Sequence, residues 1–374
     1  MAKPESEVMS DTKKIFSGQR LRVARLFRGH TQVDLGDALG ISQQFIGEIE
    51  REHKPPNEQL VRAIGDFLGF ELEFFYGSRL DEFVDSECNF RRRRATPISI
   101  RIRALAYGTL LGQFWSYANQ ELNLPAEKMP IVNATSRAEI EKAAERCRME
   151  WGLGLDTPIA NMVHVVEYGA GVPIARFGDV GEKVDAFSRV GRPSVVVLSN
   201  KAGSRCRLDA AHECGHLVLH RNRPTGTPEI EREADHFARA LLLPRNGFRR
   251  EFPHSLANVW EVLFGLKSRW RASLADMILR ANDLSLINGV QYLRLYKELS
   301  RQGWLKKEPY EFDSESPQIL SAVFENMKIA KGIDHREIAH TLGWTPQTLT
   351  EITGVRAMES RTNVRALIAK RTEA

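Results

Sequence analysis

The run His212-Glu213-Cys214-Gly215-His216 constrains this chain more than any other feature. Two histidines four positions apart project from one face of an α-helix, about one turn apart. As a helix the segment can bring both imidazoles to a single divalent ion, with Zn²⁺ the expected one. Glu213 then sits beside the ion, where its carboxylate can take a proton from bound water. Gly215 keeps the crowded side of the helix small. Such a centre needs a third protein ligand and an open position. The next helical stretch offers Glu231-Arg232-Glu233-Ala234-Asp235, in which Glu231 and Asp235 share a face at i and i+4. We assign Glu231 as the ligand and Asp235 as acceptor of the spare N–H of a ligand histidine. Glu233 is the main competitor for the ligand role, and Glu229 a further one. A helix whose histidines merely hydrogen-bond would show the same spacing, so the third ligand decides the matter.

A second pattern lies near the start of the chain. Gly29 ends a first helix, Thr31 caps a second over Gln32–Leu39, and Ser42 caps a third over Gln43–Arg51. Gly40 supplies the turn between the last two. Counted from Gln32, a helix-turn-helix wants a small residue fifth, glycine ninth, and apolar residues fifteenth and eighteenth; the chain supplies Gly36, Gly40, Ile46 and Ile49. Gln43 and Gln44 face outward at the start of the third helix, where glutamine can pair with an adenine edge in the major groove. Gln32 and Ser42 are better placed for phosphates. A further helix runs Glu58–Leu68 after Pro55-Pro56. The pattern returns faintly 303 positions later, in Ile338-Ala339, Leu342-Gly343-Trp344-Thr345, Leu349 and Ile352. There Trp344 and Leu349 read as core, which favours packing or dimerisation over DNA contact.

Between these motifs the text is plainer. Ala104–Gln120 reads as a buried helix, because polar and glycine interruptions make it a poor membrane span. Arg91-Arg92-Arg93-Arg94 reads as a solvated basic linker. Helices are expected from Ser136, over Pro158–Glu167 and from Val259 onward, and strands over Gly169–Phe177 and Pro193–Leu198. At 374 residues the chain is long enough for two or three domains, and its net charge of +5 fits a nucleic-acid partner without requiring one. Four cysteines without a CxxC pair suit a reducing cytosol, and no signal peptide or membrane segment is apparent, so a cytoplasmic protein is expected.

Two resemblances sharpen this reading. Thr31-Gln32, Leu39-Gly40-Ile41-Ser42 and Ile46-Gly47-Glu48-Ile49-Glu50 resemble the Cro/C1 (XRE) repressor family over residues 17 to 77, with Gly36 where alanine is usual, a small cost in helix stability. Ala211–His220, Glu231–Ala238 and Leu241-Leu242-Leu243-Pro244, with Trp151-Gly152-Leu153-Gly154 and Val184-Asp185-Ala186-Phe187 upstream, resemble the ImmA/IrrE family of bacterial metallopeptidases over roughly residues 135 to 310. Here Cys214 stands where that family commonly has an aliphatic residue. The first resemblance implies binding to double-stranded DNA as a homodimer. The second implies a minimal gluzincin-like fold that cleaves a repressor or another regulatory protein during a stress, phage or mobile-element response. A repressor or antitoxin that keeps the peptidase fold only for sensing or partner binding, and self-cleavage near Arg91–Arg94, are the alternatives. The expected architecture is α+β and mainly helical. It has a flexible tail (1–15), a helix-turn-helix domain (16–77), a linker or helical connector (78–130), the peptidase domain (131–250), a helical extension (251–312) and a C-terminal helix-turn-helix-like bundle (313–374).

Overall fold

A computed structural model describes residues 15–90, 97–134, 136–176, 186–189, 194–199, 201–221, 223 and 226–356. The expected flexible tail, the Arg91–Arg94 run, the Val184-Asp185 pair and the end of the C-terminal bundle fall almost wholly outside these. The described residues form two compact units, those within 15–81 with 336–348 and those within 82–335 with 349–356. The fold is mainly helical α+β.

The first unit begins with α1 (Gly18–Arg28), α2 (Gln32–Leu39), α3 (Gln43–Glu50) and α4 (Glu58–Leu68). Each boundary has a local cause. Gly29 stops α1 with φ 76°, and Thr31 and Asp34 form a capping box that starts α2. Ser42 and Asn57 accept from the backbone of Phe45 and Leu60 to start α3 and α4. Leu21, Leu35, Ile46, Ile49, Val61, Ile64 and Leu68 fill the core. Gly36 is required there, because a β-carbon would lie 2.6 Å from the carbonyl oxygen of Ile41. The glycine that looked like a small helix cost is the residue that lets α2 meet the turn.

The same unit includes residues 336–348, which the sequence had placed in a C-terminal bundle of their own. Phe70 and Trp344 form an antiparallel bridge, and the amide of Glu71 donates to the carbonyl of Gly343 at 2.9 Å. Arg28 and the Gly69 carbonyl both reach Thr348, each at 2.6 Å. Trp344 is fully buried here, as core.

The second unit carries a four-stranded sheet in the order β1-β3-β4-β2: β1 (Cys88–Phe90), β2 (Ile174–Arg176), β3 (Ala186–Arg189) and β4 (Val195–Leu198). β1 and β4 run antiparallel to β3, and β2 runs parallel to β4. Among the described residues the expected strand over Gly169–Phe177 forms at Ile174–Arg176, and Val165–Gly169 is a π-helical turn. The expected helix over Pro158–Glu167 starts only where Asn161 caps it. α5 (Ile98–Glu121) is the buried helix foreseen around Ala104–Gln120, and Gly108 allows Phe83 to lie against it. Among the described residues no helix is long and apolar enough to cross a membrane.

The remaining helices are α6 (Arg137–Glu150), α7 (Met162–His164), α8 (Gly203–Leu219), α9 (Pro228–Leu242), α10 (Arg245–Glu251), α11 (Val259–Trp270), α12 (Leu274–Asp283), α13 (Gly289–Arg301), α14 (Ile319–Lys331), α15 (His335–Leu342) and α16 (Pro346–Thr353). α8 packs on β3 and β4 and against α9, and α9 also packs on α6. One apolar core joins Ala186, Val196 and Leu198 of the sheet to Ala211, Cys214, Phe237 and Leu241 of α8 and α9.

Candidate metal centre and DNA-reading helix

α8 is buried along nearly its whole length, which is why its sequence shows no polar face. His212, Glu213 and His216 are each 1% exposed or less. Gly215 faces α9, where a β-carbon would stand 3.1 Å from the Cα of Ala234 and 3.2 Å from the Phe237 ring. Its absence lets α9 come close enough for Glu231 to reach the histidines. Thr227 and Pro228 start α9, fixing the register that sets Glu231 and Asp235 on one face.

The Nε2 atoms of His212 and His216 lie 3.0 Å apart, and the Glu231 carboxylate oxygens stand 3.5 Å and 3.6 Å from them. One donor atom from each of the three lies within 4.8 Å of the others. The outer hydrogen bonds decide what these atoms present. His212 Nδ1 lies 2.8 Å from Asp235 Oδ1, an acceptor, so the ring proton belongs on Nδ1 and the Nε2 lone pair faces inward. On His216, Nδ1 meets His220 Nδ1 at 3.0 Å, and His220 Nε2 meets Glu233 Oε2 at 2.9 Å. His220 must donate to that carboxylate, so its Nδ1 accepts from His216, and the His216 Nε2 lone pair also faces inward. Burial holds His220 below the usual histidine range, with Glu233 opposing, which favours the neutral ring this relay needs.

With these tautomers, two lone pairs and a carboxylate oxygen converge on one point. Glu231 Oε1 has no hydrogen-bond partner. Three acceptors so placed would repel one another, and a divalent cation would turn that cost into binding. Two imidazoles and one carboxylate are a donor set that suits zinc.

The structure brings Glu231 beside both His212 and His216 and sets Asp235 behind His212. Glu233 instead supports His220 and pairs with Arg223, while the Glu229 side chain is 69% exposed. The sequence reading gave no role to His220 or Arg223. His220 was findable, since it lies four residues beyond His216, on the same helix face. Cys214 is fully buried and burial pushes its thiol up, so it serves as a packed small residue.

In the first unit, Ser42, Gln43 and Gln44 are exposed at the N-terminal end of α3. The Ser42 hydroxyl is occupied as the helix cap. The Gln32 amide donates to Glu50 at 2.7 Å, and Arg25 grips the same carboxylate. Gln32 therefore also braces α2 against α3.

Comparison with known proteins agrees with both halves. Residues 21–75 match the family model described as helix-turn-helix, and residues 168–281 that described as IrrE N-terminal-like domain. Over 56 residues the chain is 36% identical to the uncharacterized HTH-type transcriptional regulator YazB of Bacillus subtilis (strain 168), covering 15% of this chain and 81% of that protein. The chain is an XRE-type helix-turn-helix regulator fused to an IrrE/ImmA-like domain. In this regulator the helix-turn-helix match spans α1 to α4, and the IrrE-like match spans all three residues of the acceptor cluster.

Proposed function

We propose that this regulator binds double-stranded DNA through α3 and cleaves a repressor or another regulatory protein at a zinc centre held by His212, His216 and Glu231. The observation that carries the second half is the convergence of the three acceptor atoms, with the outer partners of both histidines fixing their lone pairs inward. His212, His216 and Glu231 would hold the zinc, whose chemistry there would be to acidify a water and polarise a carbonyl oxygen. Glu213, fully buried on the same turn of α8, takes the proton from the attacking water and delivers it to the leaving amine. Asp235 accepts the Nδ1 proton of His212, which fixes its tautomer and keeps its ring oriented. His220 does the same for His216, with Glu233 and Arg223 behind it.

For DNA, Gln43 and Gln44 read base edges, while Ser42 and Gln32 sit nearer the phosphate backbone. Binding as a homodimer to paired half-sites accompanies this mode.

Glu213→Gln tests the enzymatic claim. It should leave zinc content and DNA binding unchanged and lower cleavage by about 10²–10⁴-fold, the usual share of a general base. Regulation in cells that survives this substitution unchanged would replace the peptidase with a repressor or antitoxin that only senses or binds.

A further inference from the structure

The outer edge of β3 is occupied by β1, a three-residue strand from the segment that follows the DNA-binding domain in sequence. That segment is pinned upstream: Phe83 is buried, its amide donates to Thr109 at 2.9 Å, and the Arg189 guanidinium lies 4.5 Å above its ring. β1 then runs antiparallel to β3, with Asn89 opposite Ser188. Opposed residues in such a pair share a sheet face, and alternate residues along a strand do too. Ser188 therefore shares the face of Ala186, whose side chain belongs to the core built on α8. Phe187, on the other face, lies near Gly108 of α5. Asn89 and Ser188 thus point to the side of the sheet that α8 covers, the helix that bears Glu213.

Both are fully buried, yet neither amide atom of Asn89 nor the Ser188 hydroxyl has a hydrogen-bond partner. β3, which β1 borders, packs directly on α8. A strand this short, carrying an unsatisfied amide, is a weak occupant of a sheet edge. A sheet edge beside a hydrolytic helix is also where main-chain pairing would hold an extended peptide.

We propose that the β3 edge is the docking site for an extended polypeptide segment lying antiparallel to Ala186–Arg189, and that Cys88–Phe90 is its resident, displaceable occupant. The proposal rests on the peptidase reading for the chemistry that follows docking, but not for the docking itself. Cys88–Phe90 gates the centre by holding the place that a substrate strand must take.

The test uses full-length protein carrying Glu213→Gln, so that binding is read without hydrolysis, and a fluorescent peptide with the sequence of residues 84–93. Asn89→Pro, which breaks strand pairing, should tighten peptide binding at least about tenfold. Asn89→Val replaces the orphan amide with a strand-favouring apolar group and should weaken binding by about tenfold. Hydrogen exchange at Ala186–Arg189 should be faster in the first variant, slower in the second, and slowed again by added peptide. Equal binding by all the proteins, or none by any, overturns the proposal. Should Asn89→Pro not fold, Asn89→Val binding as tightly as the parent overturns it alone. If the peptide binds in the expected order but is never cut by chains with native Glu213, the docking site stands and the peptidase reading fails. If peptide cleavage proceeds equally in chains with and without the Asn89 substitutions, the peptidase reading stands and the gate fails.

Discussion

His220→Ala separates a built metal site from a helix whose histidines happen to meet. The substitution removes the acceptor for His216 Nδ1, a contact of 3.0 Å between rings that are both 1% exposed or less. Without it, His216 is free to carry its proton on Nε2, where it blocks the metal. Outer partners of metal-bound histidines contribute about 10- to 100-fold in affinity. Complete burial puts the expected loss near the upper end, or about 2–3 kcal/mol at 1.36 kcal/mol per tenfold. The fold should tolerate the change, because Glu233 keeps Arg223 as a partner. His220→Gln retains one acceptor and one donor and should recover part of the loss. Competition against a chromophoric chelator at neutral pH measures zinc affinity, with melting of the metal-free protein as control. A folded His220→Ala variant that binds zinc within about threefold of the native chain would refute the tautomer argument, given the 10- to 100-fold expectation.

Other consequences follow from the same structure. Gly36→Ala gains about 1 kcal/mol of helix propensity. It also sets a β-carbon 2.6 Å from the Ile41 carbonyl, and such overpacking typically costs about 1–3 kcal/mol, so urea denaturation should show net destabilisation; a more stable variant would contradict this. Glu141 and His236 form part of a buried cluster with Arg280 and Asp283. Burial alone would raise the Glu141 carboxyl, but Arg280 and His236 outweigh it and hold it at about 2 against an ordinary 4.5. Burial likewise lowers His236, but Asp283 and Glu141 raise it overall above its ordinary 6.5. The Glu141 contribution is therefore present above pH 4.5 and lost as pH falls toward 2, while the His236 contribution is present below pH 6.5 and lost as pH rises through its elevated value. Stability from this cluster should peak between those limits, and Glu141→Gln should flatten both limbs of the melting-temperature profile; an unchanged profile would sink the assignment. Gln43→Ala or Gln44→Ala should relax base discrimination by about 1–3 kcal/mol at one base pair and leave the salt dependence of binding unchanged. A uniform loss across sequences would make these side chains phosphate contacts.

The parts of this fold legible in the sequence are those with local causes. Thr31, Ser42 and Gly40 announce α2 and α3 because a cap or a left-handed turn depends on a few adjacent residues. His212, Glu213 and His216 are legible because helix geometry alone places them together. The misses are non-local. β3 is buried on both faces, so Ala186–Arg189 shows no alternation of polar and apolar residues. β1 is three residues in a stretch read as a connector, and only its pairing with β3 makes it a strand. Residues 336–348 read as part of a separate C-terminal bundle, and nothing in their own pattern tells that Trp344 bridges to Phe70, 274 positions earlier. Glu233 illustrates the limit at the site itself. By spacing it competes with Glu231 for a ligand role, and only the position of His220 shows where its carboxylate goes.

Metal content is the most direct test of the centre on which the chemistry depends. Full-length protein purified without chelator should carry close to one zinc ion per chain, and Glu231→Ala should lose most of it while the fold persists. Zinc retained at full occupancy in Glu231→Ala but lost from Glu233→Ala would contradict the account, because the carboxylate that completes the site would then be the one assigned to brace His220.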